Sequence, residues 1–202
     1  MKRSERSVGV GGSTATSRTV SNMAHDQLRR LASLIERRNV VDGEIAATIG
    51  RPAHPGHIGD FVAAAIFDIA LLESVTHVGA RGHFTRGPLA GRSVNIRKYS
   101  LDQGLLDIRL DALPDFFLVL TGPRAPATSS RGTTQPWTIE SVYLLEAAPL
   151  VAHLSERGVK IGVATSVRRQ VWDEAEIYPS PRNSRLRLTP EQVSMVRLFC
   201  GS

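Results

Sequence analysis

The amino-acid sequence predicts an α/β domain, and three observations carry that prediction. Segments of helical periodicity alternate with short runs rich in β-branched and aromatic residues, and the run FFLVL at 116–120 is apolar without interruption. No stretch approaches the roughly 20 uninterrupted apolar residues that a membrane-spanning helix needs. With 202 residues, 42% of them apolar, the chain can bury one sizeable core.

Residues 1–23 are mostly Gly, Ser, Thr and Arg, with too few apolar side chains to offset their ordering entropy. They are expected to form a disordered tail ahead of a single domain spanning 24–202. Leu28, Leu31, Leu34 and Ile35 recur at helical spacing, as do Val41, Ile45 and Ile49, which predicts two short helices parted near Asn39 and stopped by Gly50, Arg51 and Pro52. Residues 57–72 are apolar around most of a helical circumference, so this third helix is expected to be buried. Asp60 lies within it. A buried carboxylate is costly unless something pairs with it or coordinates it, although a site one turn into the helix also gains from the N-terminal dipole.

From residue 74 the pattern turns to strands, at 74–79, 93–99, 115–122 and 137–146, each bounded by Gly or Pro. The central FFLVL run is expected to be covered on both faces. Residues 123–136 form a polar connection long enough to face a ligand. A helix follows, ending at Gly158, then a buried strand at 159–165. In the last helix Thr189 caps, Pro190 takes the first helical position and Gln192 completes a capping box.

Composition narrows the function classes. Cys200 is the only cysteine, which excludes an internal disulfide and a Cys-rich zinc site. The first residues lack the apolar segment of a secretory signal, so a cytoplasmic location and no membrane partner are expected. The net charge of +6 resides in the ends: residues 1–23 and 180–202 each carry +3, and residues 24–179 balance 17 basic against 17 acidic side chains. Bulk charge therefore supports weak polyanion contact by the termini and not a specific groove. There is no Walker loop, no GxGxxG, no GxSxG and no HExxH. His54, His57 and Asp60 recur every third residue, but Pro55 and Gly56 place His54 outside the helix and spoil a metal-binding face. His83 has no supporting pattern.

The segments IGRPAHPGHIGDF, GARGHFTRGPLAGRSVNIRKY, GLLDI, PDFFLVLTGP, VKIGVATSVRR and AEIYP resemble an uncharacterised bacterial domain family related to the restriction-endonuclease-like, PD-(D/E)XK, nuclease superfamily. The resemblance covers residues 39–179. It implies a mixed four- to five-stranded sheet flanked by helices, here with extra N-terminal helices and a C-terminal helix. In that superfamily a helix acid, a strand acid and a strand lysine hold a divalent ion against the scissile phosphate. Carboxylate oxygens take Mg²⁺, the ion acidifies water, and the lysine steadies developing charge.

Carried over by motif, the helix acid falls on Asp60. The strand acid, expected in Gly-x-Asp-Gly-x-Phe, falls on Arg81, and the lysine, expected in Val-Asn-Ile-Lys-Trp-Tyr, falls on Arg97. Two cations against one carboxylate repel Mg²⁺, so no bound metal is expected, and arginine is a poor base but a good bidentate grip on phosphate. The resemblance thus implies a nuclease-like protein with a degenerate metal site, non-catalytic or weakly active, binding nucleic acid or another phosphorylated ligand. Arg124 and Arg131 on the polar connection, with Arg168 and Arg169 beyond the last strand, are the candidate contacts to a nucleic-acid backbone. Two alternatives stand beside it. One is a structural or protein-interaction module without nucleic-acid binding. The other is an active Mg²⁺-dependent endonuclease using Asp107 or Asp115 as substitute carboxylates. Oligomeric state is left open.

Overall fold

The computed structural model describes residues 13–72, 79–124 and 136–201, with side chains from residue 26 onward. The chain divides into two compact units, Met1–Ala53 and His54–Ser202. The polar connection expected at 123–136 lies mostly outside the described residues, as does the strand expected at 74–79.

In the first unit the described residues form one helix, α1 (Ser13–Ile49), 37 residues long. Two helices parted near Asn39 were expected, and the helix begins inside the segment read as a tail. Asn39 is only a mild helix opponent, no Pro or Gly flanks it closely, and the Arg38–Asp42 ion pair (Nε to Oδ2, 3.3 Å) spans the expected joint at i,i+4 spacing.

The second unit opens with α2 (Pro55–Phe67), which has Pro at its start and a backbone N–H of Asp68 closing onto Ala64 O. Asp68 has φ 53°, a left-handed residue that ends the helix, and β1 (Ile69–Leu71) follows where the helix was expected to continue. The sheet adds β2 (Gly82–Phe84) and β3 (Ser93–Tyr99), then skips a two-residue strand, β4 (Leu105–Leu106). It continues with β5 (Phe116–Thr121) and β6 (Ser141–Glu146). After α3 (Ala147–Glu156), β7 (Thr165–Ser166) and α4 (Arg169–Ala175), it closes with β8 (Glu176–Tyr178), and α5 (Pro190–Arg197) ends the chain.

The protein is α/β, with six strands in the order β1-β2-β3-β5-β6-β8 and a separate β4-β7 pair. The sheet is mixed: β3 and β5 run parallel, and the other described pairings are antiparallel. Six strands replace the four or five expected. The additional strands are short: β1 was read as helix, and β8 pairs at the edge beside β6. Conversely, residues 159–165 do not form a buried strand. Val163 is 90% exposed, Ala164 takes φ 54°, and only Thr165–Ser166 pairs, with β4.

β5 is the axis of the unit, buried at all six positions as its apolar run demands. Side-chain alternation splits the core in two. Val94, Ile96, Leu118, Leu120, Val142 and Leu144 pack with α2 and α5 on one face. Phe117, Val119, Tyr143 and Leu145 pack with α3, α4 and the β4-β7 pair on the other. The capping box of α5 forms as its sequence specifies, with Thr189 Oγ1 accepting from Gln192 N at 3.2 Å and Gln192 Oε1 accepting from Thr189 N at 3.0 Å. Among the described residues, no helix is long and apolar enough to cross a membrane.

Candidate functional site

α2 lies against β3 because glycine is the residue at the contact. A Cβ built on Gly59 would stand 2.8 Å from Lys98 Cβ, so only glycine lets the helix backbone come this close. The next residue, Asp60, is thereby held against the sheet with its side chain only 6% exposed. The Arg81 guanidinium, 34% exposed, brings Nε to 3.9 Å from Asp60 Oδ2. Its backbone is pinned by the Arg81 N–H to Val94 O bond of 2.7 Å, which continues the β2-β3 pairing.

Lys98 belongs to the same face. In the parallel register Ile96 opposes Leu118 and Lys98 opposes Leu120, and the leucines belong to the core under α2. Lys98 Nζ donates to Tyr99 O at 2.7 Å and stands 5.1 Å from the centre of the Trp137 ring. Trp137 is held in turn by its Nε1 donating to Pro55 O at 3.3 Å. Burial lowers the Lys98 ammonium to a pKa of about 8.

Arg97 points the other way. It opposes Val119, whose neighbour across β6 is Tyr143, and both belong to the core under α3 and α4. Its Nη2 donates to the carbonyl of Asp107 at 3.4 Å, and its Nε is buried without a hydrogen-bond partner among the described residues. Of the three positions Asp60, Arg81 and Arg97, the structure brings together the first two and sends the third to the opposite face. A shift of one position along a strand reverses the face of every side chain, and the lysine on the Asp60 side is Lys98.

The substitute carboxylates do not join this group. Asp107 Oδ1 accepts from Ala164 N at 2.8 Å, and the Asp107 carbonyl holds Arg97 on the far face. Asp115 caps the start of β3, accepting from Ser93 N at 2.7 Å and Ser93 Oγ at 2.8 Å, and pairs with Arg92 at 2.8 Å. Burial raises the Asp115 carboxyl, but the Ser93 bonds and Arg92 outweigh it and leave its pKa lowered. Leu120, which opposes Lys98, is five residues further along β5, about 16 Å at strand rise.

Of the proposed backbone contacts, Arg131 lies outside the described residues. Arg169 is engaged within the fold: Nη1 donates to Asp102 Oδ2 at 2.7 Å, Nη2 to Tyr143 Oη at 3.1 Å and Nε to Asp173 Oδ1 at 2.6 Å. Burial acts to lower its pKa, but the bonds to Tyr143, Asp102 and Asp173 prevail and raise it. Tyr143 Oη also donates to Asp102 Oδ2 at 2.9 Å, so a buried carboxylate, a phenol and a guanidinium close a triangle. Arg124 stands at its edge, 3.8 Å from Asp173 and bridged to Asp102 through the backbone. Arg168 is exposed at the start of α4 and lines a cavity of about 370 Å³ with Leu150, His153 and Arg157.

His54 and His57 meet edge to face with ring centres 5.4 Å apart, and His83 is exposed. Among the described residues no three His, Cys, Asp or Glu side chains gather where a metal ion could sit. Around Asp60 the residues present do not fit a divalent cation, since the carboxylate is paired with the Arg81 guanidinium and no second carboxylate gathers beside it among the described residues. They do fit an oxyanion. Sequence patterning held one signal that the motif comparison passed over: in 94–98 the positions apolar-x-apolar-x-Lys share a face by simple alternation. Trp137 and the Asp102–Tyr143–Arg169 triangle carried no local signal, because their partners come from distant segments.

No protein-family model matches the chain, and no curated protein matches it.

Proposed function

We propose that the protein binds a phosphate-bearing ligand, with nucleic acid as the leading class, on the face shared by Asp60, Arg81 and Lys98, and does so without metal-dependent cleavage. The observation that carries this reading is the Arg81 guanidinium 3.9 Å from Asp60, on the sheet face where the stem of Lys98 packs against Gly59 and its ammonium lies half-buried beside the Trp137 indole. Arg81 supplies a planar fork for phosphate oxygens and Lys98 a point charge. Trp137, partly exposed beside Lys98, offers a surface on which a base can stack. Asp60 orients Arg81 and takes no part in holding a cation.

A restriction-endonuclease-like descent is part of the same proposal. Its support is the order of α2, then the antiparallel β1-β2-β3, then β5 running parallel to β3, with the helix acid and the strand lysine on one sheet face.

The test is a pair of assays on the purified protein. Plasmid incubated with Mg²⁺ or Mn²⁺ is expected to stay supercoiled, while a fluorescent oligonucleotide binds with strong salt dependence and is released by Arg81→Ala. Nicking that Asp60→Ala abolishes would contradict the degenerate-site reading. Absence of binding at low salt would favour the protein-interaction alternative.

A further inference from the structure

Among the described residues, helix α1 exposes an apolar stripe over Leu28–Val41. Leu28 is 63% exposed, Leu31 and Val41 52%, and Leu34 and Ile35 48%. At 100° per residue these five side chains, with the half-buried Ile45 and Ile49, fall within an arc of about 140°. Such a stripe, sustained from 28 to 49, covers about 33 Å of helix. Read as heptads, its central seam is Leu28, Leu31, Ile35, Arg38, Asp42, Ile45 and Ile49. The seam is therefore apolar at both ends and charged at its centre, with one cation and one anion at adjacent seam positions.

That arrangement is self-complementary in one orientation. When a second copy is laid antiparallel with residue 40 of each helix on the two-fold axis, Arg38 opposes Asp42 and Asp42 opposes Arg38. Ile35 then meets Ile45 on both sides, and Leu31 meets Ile49. A parallel pairing would instead stack Arg38 on Arg38 and Asp42 on Asp42. Within one chain the two charges already touch, 3.3 Å apart, so the paired helices would close a four-charge cluster at their centre.

We infer that α1 is a homodimerisation element, pairing with α1 of a second copy as an antiparallel two-stranded coil centred on residue 40. The apolar ends supply the association and the charged centre sets the register and direction, the best-attested role of polar groups in such seams. A two-fold interface of this kind uses the same patch on both copies, as the sequence symmetry about residue 40 requires. The inference is independent of the phosphate-binding proposal.

Light scattering coupled to size exclusion tests it on the full chain. The wild-type protein is expected to run at twice the chain mass at micromolar concentration. Arg38→Glu and Asp42→Lys, each placing like charges across the axis, are each expected to run at the single-chain mass. Mixed in equal amounts they should recover the doubled mass, because the two substituted positions then face each other with opposite charges, as do the unaltered Asp42 of one variant and Arg38 of the other. The helix-internal pair stays broken in both chains, so recovery can come only from the partner. The double variant R38E/D42K is expected to dimerise with itself and not to exchange with wild type. A wild-type protein that stays at the single-chain mass overturns the inference, as do single variants that remain dimeric. Exchange between the double variant and wild type overturns the antiparallel register. Circular dichroism of each variant, unchanged at 222 nm, separates lost pairing from lost folding.

Discussion

Lys98 and Arg97 are sequence neighbours with opposite environments, and that contrast sets what each can do. Lys98 packs against α2 beside Trp137, and its pKa of about 8 places its titration within reach of ordinary buffers. An anion held by the ammonium form should bind best below that value and progressively more weakly as pH rises through it. Oligonucleotide anisotropy between pH 7 and pH 9.5 should show this loss in wild type and a flatter profile in Lys98→Ala. Stability has the opposite sign. The folded-state pKa lies below the unfolded one, so the unfolded chain holds more protons from about pH 8 to 10.5, and this lysine's contribution to stability rises across that window. Asp102 poses a different question at the same scale. Its carboxylate is the shared acceptor for Arg169 and Tyr143, so Asp102→Ala leaves a buried phenol and a partly exposed guanidinium short of a partner. A loss of about 2–3 kcal/mol in urea denaturation is expected. A loss below about 0.5 kcal/mol would show that the triangle contributes no stability.

At the scale of elements, the approach of α2 to β3 is the feature that builds the site. Gly59→Ala would put a methyl 2.8 Å from Lys98 Cβ, a backbone-proximal atom that cannot swing away, so helix and strand must part. A destabilisation of about 1–3 kcal/mol and weakened oligonucleotide binding are expected together. Unchanged stability would mean that the contact is looser than it stands. The elements that were legible in sequence are those whose pattern is local. The buried β5 with its FFLVL run, the alternating β3 and the capped α5 formed where periodicity and capping chemistry placed them. The misread ones depend on tertiary context. Residues 69–71 continue the apolar texture of α2 yet pair as β1, because Asp68 turns the chain and β2 offers an edge. Residues 159–165 have strand composition, but only the last pairs, and with β4 outside the main sheet. The continuity of α1 through Asn39 needs no tertiary contact, since Asn39 opposes a helix only mildly and the Arg38–Asp42 pair spans it at i,i+4. Asp60 and Arg81 met as the motif comparison expected. Arg97 did not, because motif position says nothing about the face a strand residue takes.

For the whole molecule, the basic isoelectric point is a weak guide, since the excess charge sits at the two ends and residues 24–179 are neutral. What counts is how a few cations are distributed over the two faces of one sheet. The face under α2 holds Arg81, partly exposed and paired with Asp60, and Lys98, half-buried beside Trp137. The face under α3 and α4 spends Arg97 on a carbonyl and Arg169 on Asp102, Tyr143 and Asp173. A phosphate ligand should therefore sense one face and be nearly indifferent to the other. The most direct test compares adjacent residues: oligonucleotide affinity measured across a salt series for Lys98→Ala and for Arg97→Ala. Lys98→Ala is expected to weaken binding and to reduce the salt slope by about one counterion, while Arg97→Ala keeps the wild-type slope. An Arg97→Ala protein that is folded yet loses binding as much as, or more than, Lys98→Ala would contradict the account.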